Sequence, residues 1–145
     1  MAVKTYDPKQ IHVLIGGVAM GGFTDGTFVK VTRDEDSFTR KVSVDGETSR
    51  VRNNNRDATM TLTLHQTSPS NDVLSSFVEK DEKSNDGIVP VSIKDGTGRT
   101  HLFSALGWVK KPADTTYGKD IENREWTLEL TDAQFTLGGT PNFTA

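Results

Sequence analysis

Residues Asp57–Gln66 read DATMTLTLHQ, and this stretch decides the fold of the chain. Apolar side chains occupy every second position, and threonine fills most of the positions between them. A period of two is the pattern of a β-strand with one buried face. Threonine is branched at Cβ and suits the half-exposed face of a pleated sheet. The stretch therefore predicts a strand with an apolar core face and a polar outer face.

The same alternation recurs in Arg124–Thr131, where Trp126, Leu128 and Leu130 alternate with glutamate and threonine. Turn signals such as Gly-Gly and Asp-Gly separate the other stretches of this kind. These stretches predict further strands at Ile11–Ile15, Thr27–Arg33, Ser37–Val44, Ile88–Lys94 and His101–Val109.

One segment departs from the β pattern. Ser68-Pro69-Ser70 is typical of a helix start, with either serine as N-cap. An apolar stripe at helical spacing follows, and Asn85-Asp86-Gly87 ends the helix. We therefore predict a mainly β fold: a β-sandwich or split β-barrel of about seven to eight strands, flanked by one α-helix.

The length of 145 residues fits a single domain spanning 1–145. Two parts of it lack an apolar pattern. Residues 45–56 are polar and predict a long exposed loop, and residues 138–145 predict a flexible C-terminal tail.

Composition narrows the class of protein. The hydrophobic fraction is 33%, and a chain with so few apolar residues can complete its burial against partner subunits. The formal net charge of -3 gives no overall basic balance for holding nucleic acid. The sequence has no cysteine, no apolar run of membrane length and no signal peptide, so we expect a product made in the cytoplasm without a membrane anchor.

No residue pattern points to catalysis or to a cofactor. His12, His65 and His101 are far apart in sequence, whereas a zinc site favours a closely spaced pair. The acidic run Asp34-Glu35-Asp36 lacks the spread ligands and glycine of a calcium loop, which favours a solvated turn or a contact with a neighbouring subunit. The glycines of 16–22 lack the Lys-Ser/Thr of a phosphate loop and indicate two tight turns about a short strand. We therefore expect a protein that is not an enzyme.

The order of several short stretches resembles the structural proteins that form the inner tube of phages with contractile tails. The strongest stretch is QTSPSNDVL at 66–74, and GFTDGTFVKV at 22–31 and NREW at 123–126 add to it. The resemblance extends over the chain from end to end.

This resemblance implies a subunit that forms hexameric rings, stacked into a hollow tube in the virion through which DNA is ejected. The implied partners are other copies of the chain, the tail sheath, the baseplate and the tail terminator, with DNA passing without being held. Two alternatives stay open: a β-sandwich binding or adaptor module of a baseplate, and the tube of a related contractile injection system.

Two sets of residues are candidates for this role. A channel face must be polar without attracting phosphate, and six residues on the two clearest strands meet that demand: Thr59, Thr61, Thr63, Glu125, Thr127 and Glu129. The same face could instead meet outer solvent or the sheath. Charged residues of the loop and of the acidic run are candidates for contacts between subunits: Asp34, Glu35, Asp36, Glu47, Arg50, Arg52 and Arg56.

Overall fold

The computed structural model describes residues 6–96 and 100–138. A 3-10 turn at Pro8–Gln10 leads into the first strand, and one α-helix interrupts the strands. The elements are β1 (Ile11–Ile15), β2 (Val18–Ala19), β3 (Val29–Arg33), β4 (Phe38–Val42), β5 (Thr48–Arg52), β6 (Ala58–His65), α1 (Ser70–Ser84), β7 (Val89–Asp95), β8 (His101–Lys111), β9 (Asn123–Thr131) and β10 (Gln134–Thr136).

Eight strands form one large antiparallel sheet in the order β2-β1-β7-β8-β9-β6-β3, and β10 pairs with β8 beside that path. The sheet is not closed, so β2 and β3 are its outer strands. Strands β4 and β5 form a separate two-stranded sheet. This β4–β5 hairpin is inserted between β3 and β6.

Strand β6 shows why the sequence folds in this way. Its burial alternates along all eight residues, with the apolar side chains buried and the threonines half-buried. Strand β9 alternates in the same phase. The buried face of the sheet forms one core, and its largest fully buried side chains include Ile15, Met60, Leu62, Leu64, Leu128 and Leu130.

Helix α1 covers this core with Leu74 and Val78, both of which are buried. Its acidic first turn and basic last turn suit the helix dipole. The helix ends at Asn85, whose left-handed φ of 56° and N–H bond to the Asp81 carbonyl close the last turn. Gly16 lets the β1–β2 turn approach the helix, because a Cβ at this φ of +62° would lie 2.7 Å from the Phe77 ring.

The comparison with the sequence confirms a mainly β fold, with a single α-helix in the described residues. The same residues form ten strands, where about seven to eight were predicted. One extra strand, β5, occupies 48–52, inside the segment predicted to be a loop. Its sequence has only one apolar residue, Val51, so it is a strand because it pairs with β4. The predicted tail lies outside the described residues except for Gly138.

The helix start also differs in detail. Pro69 is the N-cap and makes no side-chain capping bond. Ser68 acts one residue earlier, because its hydroxyl oxygen accepts a hydrogen bond from the Ser70 N–H over 3.2 Å. The two serines thus fix the entry of the chain into the helix without either being the N-cap.

Candidate assembly surfaces

The structure brings all six predicted channel residues together on one surface. In the β6–β9 ladder, Thr59 pairs with Glu129, Thr61 with Thr127, and Thr63 with Glu125. Directly opposed residues project on the same side of a sheet, here the side facing away from the core. We call these six residues the polar face.

Positive charges border the polar face. Lys30 on β3 is opposite Thr61, and the Lys110 ammonium lies 3.8 Å from a carboxylate oxygen of Glu129. Both side chains of that ion pair are substantially exposed, so the pair contributes little to stability. The surface is therefore one of hydroxyls and carboxylates with lysines at its margin, and the sequence pattern of β6 and β9 gave no indication of these lysines.

Two outer strands leave the sheet open. Within the described part of the chain, β3 is paired only with β6 and β2 only with β1. An unpaired strand edge presents N–H and C=O groups that can bond to another chain. The sequence did not identify these edges, because strand order depends on contacts between distant residues.

The β4–β5 hairpin stands clear of the core. All ten of its strand residues are exposed, among them the apolar Phe38, Val42 and Val51. Its turn is held by the Ser43 hydroxyl, which donates to the Asp45 carboxylate over 2.6 Å and thereby lowers the pKa of Asp45. An ordered hairpin with exposed apolar side chains has the features of a contact surface.

The root of the hairpin is a network of side-chain bonds. One carboxylate oxygen of Glu35 accepts hydrogen bonds from the side-chain amides of Asn53 (3.1 Å) and Asn55 (2.7 Å). These two bonds lower the pKa of Glu35. The neighbouring Asp34 accepts a bond from the Thr59 hydroxyl over 2.7 Å, which joins the hairpin root to the polar face.

The candidate arginines take different positions. The Arg50 guanidinium lies over the Phe38 ring, 4.2 Å from its centroid. Arg56 forms an ion pair of 3.4 Å with Asp132, and Arg52 and Glu47 are exposed on the hairpin. Within the described chain the arginines do not pair with the Asp34–Asp36 run.

Two features were missed in the sequence, one beside the hairpin root and one at the opposite end of the sheet. Arg33 donates to the Ala133 carbonyl over 2.7 Å and lies over the Phe135 ring, which fixes β3 to the segment between β9 and β10. Residues 112–122 form an exposed connection between β8 and β9. Its start at Pro112 and its Gly118 are loop signals that could have indicated it.

The described residues give no indication of a catalytic centre. No group of three or more histidine or acidic residues in 6–96 and 100–138 is arranged to hold a metal ion. None of the helices described there combines the length and the apolar character needed to cross a membrane.

Comparison with known proteins identifies the family of the chain. The family model described as bacteriophage PhiTE tail tube protein matches residues 14–138. The chain is also 35% identical over 144 residues to the structural protein ORF10 of Pseudomonas phage KPP10, a match that covers 94% of this chain and 83% of that protein.

The fold is similar to parts of contractile injection systems. The tube-terminating cap of the anti-feeding prophage matches with a TM-score of 0.64 at 12% identity, over 94% of both chains. The sheath/tube terminator of the extracellular contractile injection system PVC matches with a TM-score of 0.65 at 11% identity, over 94% of this chain and all of that one. A chain of the PVC sheath-tube complex matches with a TM-score of 0.62 at 12% identity, over 91% of both chains. The fold agrees with the family match, and the chain belongs to the phage tail tube family, whose role is structural rather than catalytic.

Proposed function

We propose that this chain assembles into hexameric rings that stack into the inner tube of a phage tail, and that the tube is the channel for DNA ejection. The observation that carries the proposal is the open eight-stranded sheet, which has a free outer strand at each end and carries the polar face on β6 and β9. Family membership supports the tube, and the sheet supplies a means of building it.

Ring closure follows from the free edges. An exposed edge strand is an aggregation hazard unless it is paired or protected. If β3 of one copy adjoins the opposite end of the sheet of the next copy, the contact is head-to-tail, and such contacts close into rings when the rotation allows. Six copies would then form one continuous sheet around a lumen.

The polar face would line that lumen. The core face of the same sheet is covered by helix α1, so the uncovered face is the one available to a channel. Carboxylates repel phosphate and neutral hydroxyls release no counterions, whereas each lysine or arginine contact would release counterions and hold the DNA. Glu125 and Glu129 would therefore keep DNA free to move.

The β4–β5 hairpin would connect one ring to the next. Its exposed strands, together with the Asp34–Asp36 run, Glu47 and the arginines at 50, 52 and 56, form a surface with no core function in the monomer. A single exposed ion pair contributes only about 0–1 kcal/mol, but a ring repeats each contact around its circumference.

The tail sheath, the baseplate and the tail terminator are the proposed partners of the finished tube. The PVC relative is solved as a sheath-tube complex, which supports a sheath around this tube as well. We place the assembled protein in the virion and its synthesis in the host cytoplasm.

Negative-stain electron microscopy of the purified chain tests the proposal. Six-fold rings or hollow tubes are expected, and native mass spectrometry should give masses in multiples of six. A species that stays monomeric at high concentration in every buffer would contradict the tube and favour a baseplate module. Tube formation does not distinguish a phage tail from a related injection system. Whether the lumen of native particles contains DNA or protein would decide between them.

A further inference from the structure

An open pocket of about 260 Å³ lies at the root of the β4–β5 hairpin. Three of its lining residues are arginines, from β3, β5 and the segment before β6: Arg33, Arg52 and Arg56. The pocket has a phenyl wall from Phe38 and an amide from Asn53. No carboxylate lines it, so the pocket concentrates positive charge next to apolar surface.

The charges of these arginines are only partly compensated. Arg56 lies 3.4 Å from Asp132, an exposed pair, and Arg33 donates to a neutral backbone carbonyl. The Arg52 side chain makes no hydrogen bond or ion pair with any residue in the described ranges 6–96 and 100–138. Guanidinium groups are suited to bidentate binding of carboxylates, so the pocket is built to receive an anionic side chain.

The nearby acidic run does not supply that anion within one copy. Glu35 is already bonded to Asn53 and Asn55, and Asp34 to the Thr59 hydroxyl. Among the described residues, Asp36 forms no ion pair with the pocket arginines. A carboxylate of another copy can supply the anion.

The opposite end of the sheet offers carboxylates. Strand β6 begins beside the hairpin root at Ala58 and ends at His65, paired with Asn123, where the 112–122 connection joins β9. At about 3.3 Å per residue, the two ends are about 25 Å apart. The 112–122 connection contains three acidic residues and one lysine: Asp114, Asp120, Glu122 and Lys119.

The hairpin and the 112–122 connection both expose apolar side chains that a contact between them would bury. Tyr117 is 75% exposed and Ile121 60% exposed on the 112–122 connection. Phe38 and Val51 are 45% and 53% exposed on the hairpin. Both ends therefore present exposed apolar side chains, and the arginine pocket is opposite in charge to the 112–122 connection, which has three acidic residues and one lysine. A surface of one copy that fits a different surface of the next copy gives a head-to-tail contact that can propagate along a filament.

We infer that the arginine pocket binds the 112–122 connection of a second copy in the adjacent ring, with Asp114 or Asp120 as the carboxylate between Arg33, Arg52 and Arg56. The inference rests on the proposed tube, and it names the two surfaces that join one ring to the next. The apolar side chains at both ends are covered by the same contact.

Charge reversal tests this contact. Arg52→Glu, or Asp114→Lys with Asp120→Lys, places like charges at the interface, and each should raise the critical concentration for tube formation by at least about tenfold. The variant carrying all three changes should recover assembly, and so should a mixture of the two defective proteins. Lys83→Glu makes the same change in charge as Arg52→Glu on the last turn of helix α1 and should leave assembly unchanged. The contact would be overturned if the Arg52→Glu variant formed tubes at the wild-type critical concentration. It would also be overturned if the combined variant did not recover assembly.

Cross-linking decides the contact independently of tube length. The chain has no cysteine, so only introduced thiols react. A mixture of Arg52→Cys and Asp120→Cys chains with a short bis-maleimide should give a dimer joined through positions 52 and 120, and the pair Arg52→Cys with Lys83→Cys should not. Tubes without this cross-link would refute the contact and leave the proposed function standing. A chain that forms neither rings nor tubes would refute the proposed function, and a cross-link through positions 52 and 120 between two such copies would still support the contact.

Discussion

The indole N–H of Trp126 donates a hydrogen bond of 2.9 Å to the side-chain carbonyl of Asn71, and this bond joins strand β9 to helix α1 in the core. Both residues are buried. The amide nitrogen of Asn71 donates to the carbonyls of His65 (2.9 Å) and Ser68 (3.0 Å), so one side chain also holds the turn between β6 and the helix. A buried amide bonded on both sides fixes the helix in one position on the sheet.

Asn71→Ala should therefore destabilise the fold strongly. The change leaves a buried indole N–H without an acceptor and removes one of the two donors to the His65 and Ser68 carbonyls, which we expect to cost about 1–3 kcal/mol. Urea denaturation followed by tryptophan fluorescence measures the free energy of unfolding. Ser76→Ala is the control, because Ser76 is exposed and bonds only within the helix. Similar stabilities of the two variants would contradict the role assigned to Asn71.

The β1–β2 turn provides a matched pair of glycine variants. Gly16 and Gly17 both have positive φ, at +62° and +82°, so alanine is strained at either position. An added Cβ would approach Phe77 at Gly16, while at Gly17 it would meet no atom within 4 Å. Gly16→Ala should be the less stable variant by about 1–3 kcal/mol. Equal thermal midpoints would show that the Phe77 ring can move aside freely.

The sequence predicted secondary structure well where buried and exposed residues alternate within one segment. Strands β6 and β9 were predicted almost to the residue because each alternates apolar and polar side chains along its length. The end of helix α1 at Asn85 was also predicted, since the left-handed conformation favours asparagine or glycine. In these elements the local pattern and the tertiary environment agree.

The sequence was uninformative where pairing is long-range. Strand β5 has a single apolar residue, and only its register with β4 makes it a strand. The pairing of Thr63 with Glu125 depends on the β6–β9 register, and the arginine pocket depends on three separate segments. No periodicity within one segment encodes such relations, so Arg52 and Arg56 could be named as candidates but their grouping with Arg33 could not.

The carboxylate of Glu35 offers a test of the hairpin root by pH. Its pKa is lowered from an ordinary value of 4.5, first by the bond from Asn53 and then by that from Asn55. A lowered folded-state pKa means that the ionised form stabilises the root above pH 4.5 and that this stabilisation is lost as the pH falls through the folded-state pKa. NMR titration of Asn53→Ala should show the pKa of Glu35 moving up towards its ordinary value, and Asn54→Ala should leave it unchanged. An unmoved pKa in Asn53→Ala would contradict the bonding.

Shortening the hairpin should separate folding from assembly. Lys41 and Ser49 are directly paired, so replacing Val42–Thr48 with Asn-Gly leaves a two-residue turn between them. All the removed strand residues are exposed, and we expect the thermal midpoint to change little while long tubes disappear. Electron microscopy and calorimetry on the same preparation measure both properties. Tubes of normal length from this variant would remove the hairpin from the contact between rings.

Reversing the charge of the polar face tests whether it lines the channel. Glu125→Lys with Glu129→Lys converts two carboxylates into cations beside Lys110 and leaves the buried face of β9 unchanged. If the face lines the lumen, tubes should still form, because the outer strands and the hairpin are unaltered. DNA ejection should slow, most severely at low salt, since each new cation adds a phosphate contact whose strength falls as salt rises.

The control for this experiment is Glu79→Lys with Glu82→Lys on the exposed surface of helix α1. It makes the same change in net charge away from the polar face, so any effect of total charge on the tube appears in both variants. Ejection kinetics from phage particles carrying each variant, measured across a range of salt, give the comparison. Slowing confined to the polar-face variant and relieved by salt supports the channel. Unchanged ejection and assembly in that variant would place Glu125 and Glu129 on the outer surface, facing solvent or the sheath.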